Sequence, residues 1–250
     1  MVSTSLKAPV EVTADPQTLL PQQPTIKHYF DLIELSKFEV YFKNSVIVAA
    51  SVTTLSIVIS TFSGYALARR KHYWWMKTIS STVLLSYVFP QILLVIPIFL
   101  FIRNIGLADT LPGLIITHIT FVLPFSMMLL KSYFESIPIG FEEAAYIDGA
   151  SYWQTFFRVA LPLALPGVVS TAIFGFIEGW NEFLFALVLI TTDAKRTLPV
   201  GINTFLGRQA IYSWGMLMAA AVLTTLPALL FFMIIQRQLV AGIWGGGMKG

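Results

Sequence analysis

Residues 45–68 read SVIVAASVTTLSIVISTFSGYALA, an unbroken run without one charged side chain, closed by Lys43 in front and by Arg69, Arg70 and Lys71 behind. An α-helix rises about 1.5 Å per residue and a bilayer's hydrocarbon core is about 30 Å thick, so about 20 such residues reach across. The stretch is predicted to be a membrane-spanning helix. Ser56, Ser60 and Gly64 recur every fourth position, which places small residues on one face and lets a second helix approach closely.

Working outward, four further stretches have the same character. Thr78–Ile102 contains Pro90 and Pro97, and Thr110–Leu130 contains Pro124. Pro166–Ile190 carries Glu178 and Glu182, and Ser213–Ile235 contains Pro227. Prolines inside spans are tolerated where neighbouring helices or trapped water satisfy the freed carbonyls. The expected fold class is therefore all-α, a polytopic transmembrane helical bundle with five visible spans. The composition agrees: 56% of the 250 residues are hydrophobic and only 12% are charged, more apolar side chain than one soluble core can bury. With no cysteine, disulfides, thiolate metal sites and cysteine nucleophiles are excluded. The net charge of +3 is spread along the chain without a basic block, which argues against a nucleic-acid partner.

Between the third and fourth spans lies Lys131–Leu165, far longer than a turn requires, holding Glu135, Glu142, Glu143, Asp148 and Arg158. The 16 Lys and Arg divide evenly between the two sides of the membrane if this loop is internal, so the raw tally sets no orientation. Local density does favour that placement, because Arg69, Arg70, Lys71 and Lys77 crowd one short loop while Lys7, Lys27 and Lys37 are diluted over a long tail. Residues 1–44 then become an extracytoplasmic segment that no preceding apolar stretch could carry across. The reading expects a spanning helix upstream of Met1, giving six spans in all.

The long loop contains Glu143-Ala144-Ala145, then Asp148-Gly149-Ala150, then Val159-Ala160-Leu161-Pro162. A polar loop with its own helical pattern must dock on something outside the membrane, and Ala144, Ala145, Gly149 and Ala150 would let a partner come close. Gly149 suits the left-handed end of a short helix, while Pro162 and Pro166 break the approach to the next span. The whole run EEAAYIDGASYWQTFFRVALPLALP, residues 142–166, resembles the EAA signature of ABC importer permeases. The likeness extends over the chain and is closest to the maltose and sugar-uptake class. MVSTSLK at the start is similar to the segment after that class's first spanning helix, in line with an upstream span. NSVIVA from Asn44, TFSGYALAR ending at Arg69, WNEFLFAL from Trp180 and the terminal GIWGGGMKG also match.

The resemblance implies a type I importer permease fold, with residues 45–240 as the transmembrane domain and 131–165 as a cytoplasmic loop. That loop would seat a coupling helix in a groove of a separate ATPase. Glu143, Ala144, Ala145, Asp148, Gly149, Ala150, Leu161 and Pro162 would be the coupling residues, with Glu143 the ionic or hydrogen-bonding contact. Implied partners are a dimer of ABC ATPase subunits holding ATP and Mg, a second homologous permease, an extracytoplasmic sugar-binding protein and membrane lipid. The chain itself is expected to bind no cofactor or metal and to catalyse nothing. Residues 241–250 would be a cytoplasmic tail reaching the ATPase; its glycines lack the Ser or Thr and the following helix that a phosphate loop needs.

Glu178, Asn181 and Glu182 lie three and four apart, on one predicted helix face, and carboxylates within a membrane should face protein or water. Two readings stand side by side: a substrate path with Trp180 and Phe183 as sugar-stacking surfaces, or a polar contact with the second permease. His118, with Thr117 and Thr120, is more simply a packing residue. Other ABC solutes such as amino acids or peptides remain open. An ion-coupled secondary transporter using Glu178 and Glu182 would leave the EAA run unexplained.

Overall fold

The computed structural model describes residues 1–12, 18–208 and 214–246. Among these, three helices are long and apolar enough to cross a membrane: α4 (Phe38–Arg69), α7 (Leu111–Ser136), and the part of α14 (Trp214–Gly246) that reaches Ile234. Before them come α1 (Val2–Ser5), α2 (Pro9–Val12) and α3 (Lys27–Leu35). Helix α4 is the central member, packed along α7 on one side and along α11 (Leu165–Asn181) on another, while α14 rests on α11 and on the N-terminal helices α1 and α3.

The small-residue stripe expected on the first span does receive a helix. Ser56, Ser60 and Gly64 are buried, and a Cβ added at Gly64 would stand 2.9 Å from the Lys131 backbone nitrogen of α7. Gly179 of α11 plays the same part from the other side, since a Cβ there would lie 3.0 Å from Ala49 Cα. These approaches exchange side-chain volume for backbone contact, the packing that holds helices together where lipid removes the hydrophobic drive.

The other two expected spans are not continuous. The second is split at Phe89–Pro90 into α5 (Trp74–Val88) and α6 (Gln91–Asn104), which meet at 101°. Pro90 supplies no amide hydrogen and forces Phe89 out of the helical region, to φ −70° and ψ 130°, so the break falls where the chemistry requires it. The fourth does not run from 166 to 190. Helix α11 ends at Asn181, Glu182 and Phe183 turn, and a separate α12 (Leu184–Leu189) follows. Counting each bent pair as one span, among them Tyr152–Leu163 with α11 at 71°, gives five.

The long loop is also shorter than its polarity implied. Helix α7 continues past Leu130 to Ser136, and α8 (Gly140–Ile147), α9 (Tyr152–Thr155), a π-helical turn at Phe156–Ala160 and α10 (Leu161–Leu163) fill the remainder. At the other end of the bundle, α13 (Leu198–Arg208) lies against α4. Helix α14 continues beyond the expected end near Ile235 to Gly246; residues 247–250 of the glycine-rich tail, and residues 209–213, lie outside the described residues.

Candidate functional site

At the end of the bundle that carries Arg69, the polar loop closes on itself. Helix α8 stops through a Schellman turn. Gly149 sits at φ +84°, its amide donates to the Tyr146 carbonyl at 3.0 Å, and the Ala150 amide donates to the Ala145 carbonyl at 2.9 Å. A Cβ on Gly149 would meet nothing within 4 Å, so glycine is needed there for its backbone angle and not for room within the chain. The next helix starts with a capping box: Ser151 Oγ accepts from the Gln154 amide and Gln154 Oε1 accepts from the Ser151 amide at 2.8 Å. Phe156, fully buried, packs with Phe134 and against Tyr65, and so anchors the loop's second half on α4 and α7.

Helix α8 has two unlike faces. Outward stand Phe141, Glu143, Ala144, Tyr146 and Ile147, the last 86% exposed, and beyond the helix Asp148 and Gly149 are exposed as well. Ala145, Ala150 and Leu161 are half-buried and Pro162 is exposed. On α8 itself the exposed apolar side chains of Phe141, Ala144, Tyr146 and Ile147 thus stand beside the carboxylates of Glu143 and Asp148.

Inward, α8 buries a single side chain, that of Glu142. Its Oε1 accepts from Arg69 Nε at 2.7 Å and pairs with Arg69 NH2 at 2.6 Å, while its Oε2 accepts from the Tyr65 hydroxyl at 2.7 Å. Arg69 NH1 also donates to the Phe134 carbonyl at 2.7 Å, in the last turn of α7, and NH2 donates to the Ile137 carbonyl at 3.4 Å. One guanidinium thus ties α4, the C-terminal end of α7 and α8 together, and a cation suits the negative pole of α7. Sequence reasoning passed over this triad by attending to Glu143. The available signal was Tyr65 and Arg69 one turn apart at the mouth of a span, with an extra glutamate beside the motif.

The second candidate region is reorganised. Glu182 is buried and does not share a face with Glu178 and Asn181, because the helix has already ended. Its carboxylate accepts from the amides of Phe185 at 2.7 Å and Ala186 at 2.8 Å, and so satisfies the free N–H groups at the start of α12. Trp180 is 1% exposed; its indole nitrogen donates to the Thr224 carbonyl at 3.0 Å and its ring packs against Phe176 and Phe42. It presents no face for a sugar to stack on. Of the five residues expected there, Asn181 and Phe183 are exposed and Glu178 is half-buried. His118 is buried.

The opposite end of the bundle carries a polar staple that the sequence did not announce. Asp109, at φ 55°, accepts from the amides of Thr191 and Thr192 at 2.9 and 2.8 Å, from the Thr192 hydroxyl at 2.6 Å and from Lys195 at 3.1 Å. Those donors, the Thr192 hydroxyl first, hold its carboxyl below the usual carboxylate range. Asp193 likewise pairs with Lys37 at 2.9 Å and with Arg196 at 2.9 Å, and Asn44 donates to the carbonyls of Ala194 and Arg196. Among the described residues no group of His, Asp and Glu is placed to hold a metal ion.

Residues 56–245 match the family model described as "Binding-protein-dependent transport system inner membrane component". The chain is 38% identical over 252 residues to the inner membrane ABC transporter permease protein YcjP of Escherichia coli, covering 100% of this chain and 89% of that protein. It is 37% identical over 234 residues to the trehalose/maltose transport system permease protein MalG of Thermococcus litoralis, covering 93% and 84%. In three dimensions it is similar, with a TM-score of 0.78 and 23% identity, to a chain of a bacterial ABC transporter involved in the import of the acidic polysaccharide alginate, covering 94% of this chain and 87% of that one.

Proposed function

Since the chain belongs to the family of binding-protein-dependent transport system inner membrane components, we propose that it is the sugar-translocating permease subunit of an ATP-driven importer. The observation that supports this best is α8, which buries only Glu142 against its own bundle and turns Phe141, Glu143, Ala144 and Ile147 outward. A short helix seated on the bundle through one ionic residue, with an apolar outer face, is built to be held by a second protein.

In this reading the ATPase subunits hold ATP and Mg, and their closure moves α8. This chain supplies no chemistry: it offers helices whose arrangement favours one opening or the other, and nucleotide binding on the partner shifts that preference. An extracytoplasmic binding protein delivers the solute to the end of the bundle stapled by Asp109 and Asp193. A second homologous permease completes the path, covering the apolar surfaces that α5, α6 and α14 turn outward. The solute is a mono- or oligosaccharide, as the names of the trehalose/maltose and diacetylchitobiose relatives suggest. Glu178, Asn181 and Phe183 remain the residues of this chain proposed for the solute path or the permease interface, while Trp180 and Glu182 have structural work instead.

The test is purification of the tagged chain from its native membrane. It should bring down an ATPase and a second permease, and the assembly in proteoliposomes should take up sugar only with Mg-ATP inside and binding protein outside. Uptake driven by an ion gradient without nucleotide would replace this reading with that of a secondary transporter.

A further inference from the structure

We infer that Tyr65, Arg69 and Glu142 form the joint through which displacement of α8 is carried into the central spanning helix α4. The inference rests on the proposed docking of an ATPase on α8 and deepens it by naming the path that motion takes inside this chain.

The geometry supports a joint and not simply a packing contact. Helix α8 buries no apolar side chain on the bundle; its attachment there is the Glu142 carboxylate, with one oxygen on Arg69 and the other on Tyr65. Both partners come from α4, one helical turn apart, so they take hold of one rigid element at two points. An apolar seat resists being pushed but slides or lifts when pulled. A charge-assisted, largely buried clasp that engages both carboxylate oxygens is directional, and it holds under both push and pull. A transport cycle needs both, since α4 must follow α8 as the ATPase closes and again as it opens.

Arg69 widens the connection. Its remaining donors hold the Phe134 and Ile137 carbonyls, so the end of α7 is fastened to the same guanidinium. Helices α4 and α7 meet along their length at the small-residue stripe, where Gly64 lies against Leu130 and Lys131. A displacement entering at Glu142 therefore reaches two spanning helices that are packed closely on each other. The outward-facing Glu143 has no part in this path: it belongs to the docking surface, while Glu142 lies behind it.

The experiment uses the assembled complex with its ATPase, reconstituted with Mg-ATP and the cognate binding protein preincubated with trehalose, maltose and diacetylchitobiose. Two quantities are read: the amount of ATPase retained on purification, and the stimulation of ATP hydrolysis by the binding protein. Stimulation must pass from the far side of the membrane to the ATPase through the permease subunits, and this chain provides one of the two routes. Glu142→Gln is expected to retain the ATPase while stimulation falls roughly tenfold, the order seen when a residue in a coupling chain is removed. Tyr65→Phe keeps the ion pair and should give an intermediate loss. Full stimulation in both variants would overturn the joint. Loss of the ATPase from Glu142→Gln would overturn it as well, since the triad would then serve only to shape α8. Wild-type complex that holds no ATPase, or shows no stimulation, would count against the proposed function itself, a result separate from the variants.

Discussion

Replacing Gly149 by alanine isolates one backbone angle from everything else at the docking surface. At φ +84° a β-carbon crowds the following carbonyl, a penalty of about 1–2 kcal/mol for an ordinary residue. The alanine chain has less freedom to lose on folding, which returns about 0.4–1 kcal/mol. Beyond its chain neighbours the new methyl would meet nothing within 4 Å, so the rest of the fold adds no clash. The net expectation is about 1 kcal/mol against the turn, or about a fivefold rise in its opening equilibrium. Gly149→Asn makes the contrast, since asparagine tolerates the left-handed region and should bring back most of the difference. Amide hydrogen exchange over residues 140–150 in the purified chain reads the opening directly. Alanine should exchange about fivefold faster than wild type and asparagine close to wild type. Equal acceleration by both would mean that this position is glycine for space and not for its angle, and the Schellman account of the helix end would be refuted.

Three further outcomes are expected. Glu182→Ala leaves two amides of α12 without their acceptor and should lower stability by about 1–3 kcal/mol in thermal unfolding, whereas a carboxylate serving only a solute path would leave unfolding unchanged. Trp180→Phe loses the bond to Thr224 and leaves a gap where the larger indole was packed, so it should lower stability by about 1–3 kcal/mol without altering the apparent KM for sugar; a raised KM at unchanged stability would restore Trp180 to the solute path. Asp109 has its carboxyl held low, so its contribution to the loop's stability is complete above the ordinary carboxylate range and is lost only as the pH falls through the lowered value. Solvent exposure keeps that contribution modest, and Asp109→Asn should remove this part of the acid dependence from a pH series of melting curves, while an unchanged series would show that the staple is not ionic.

Much of this arrangement could be read from residue order because a bilayer imposes simple arithmetic. Runs without charge must be helices, and their ends must carry the charges, so Arg69 marked the end of α4 to the residue. The stripe Ser56, Ser60, Gly64 could be read for a similar reason, since small residues at one helical spacing serve little else in a membrane. Gly149 was legible because the left-handed region admits few residue types. What escaped was the difference between an apolar run and a straight helix. Hydropathy does not register that Pro90 bends a span through 101°, nor that a glutamate can sit in an apolar run as the cap of a second helix, as Glu182 does. Partner choice escaped also. Glu142 and Glu143 are neighbours of identical chemistry, and only the rotation of about 100° per residue along α8 sends one inward to Arg69 and the other to the surface. The Asp109 staple joins residues some eighty positions apart, and no local pattern in either segment marks it.

The account depends most on α8 being gripped by a nucleotide-hydrolysing partner. Ile147 is the most exposed large side chain of that helix, and a photoreactive phenylalanine analogue placed there samples whatever covers it. The chain contains no cysteine, so a thiol-directed cross-linker attached at Ile147→Cys would report from that position alone. Irradiation of native membranes should yield a covalent adduct between this chain and the ATPase, and the same probe at Leu19 should yield no ATPase adduct. An intact, sugar-importing assembly that gives no ATPase adduct from position 147 would contradict the account.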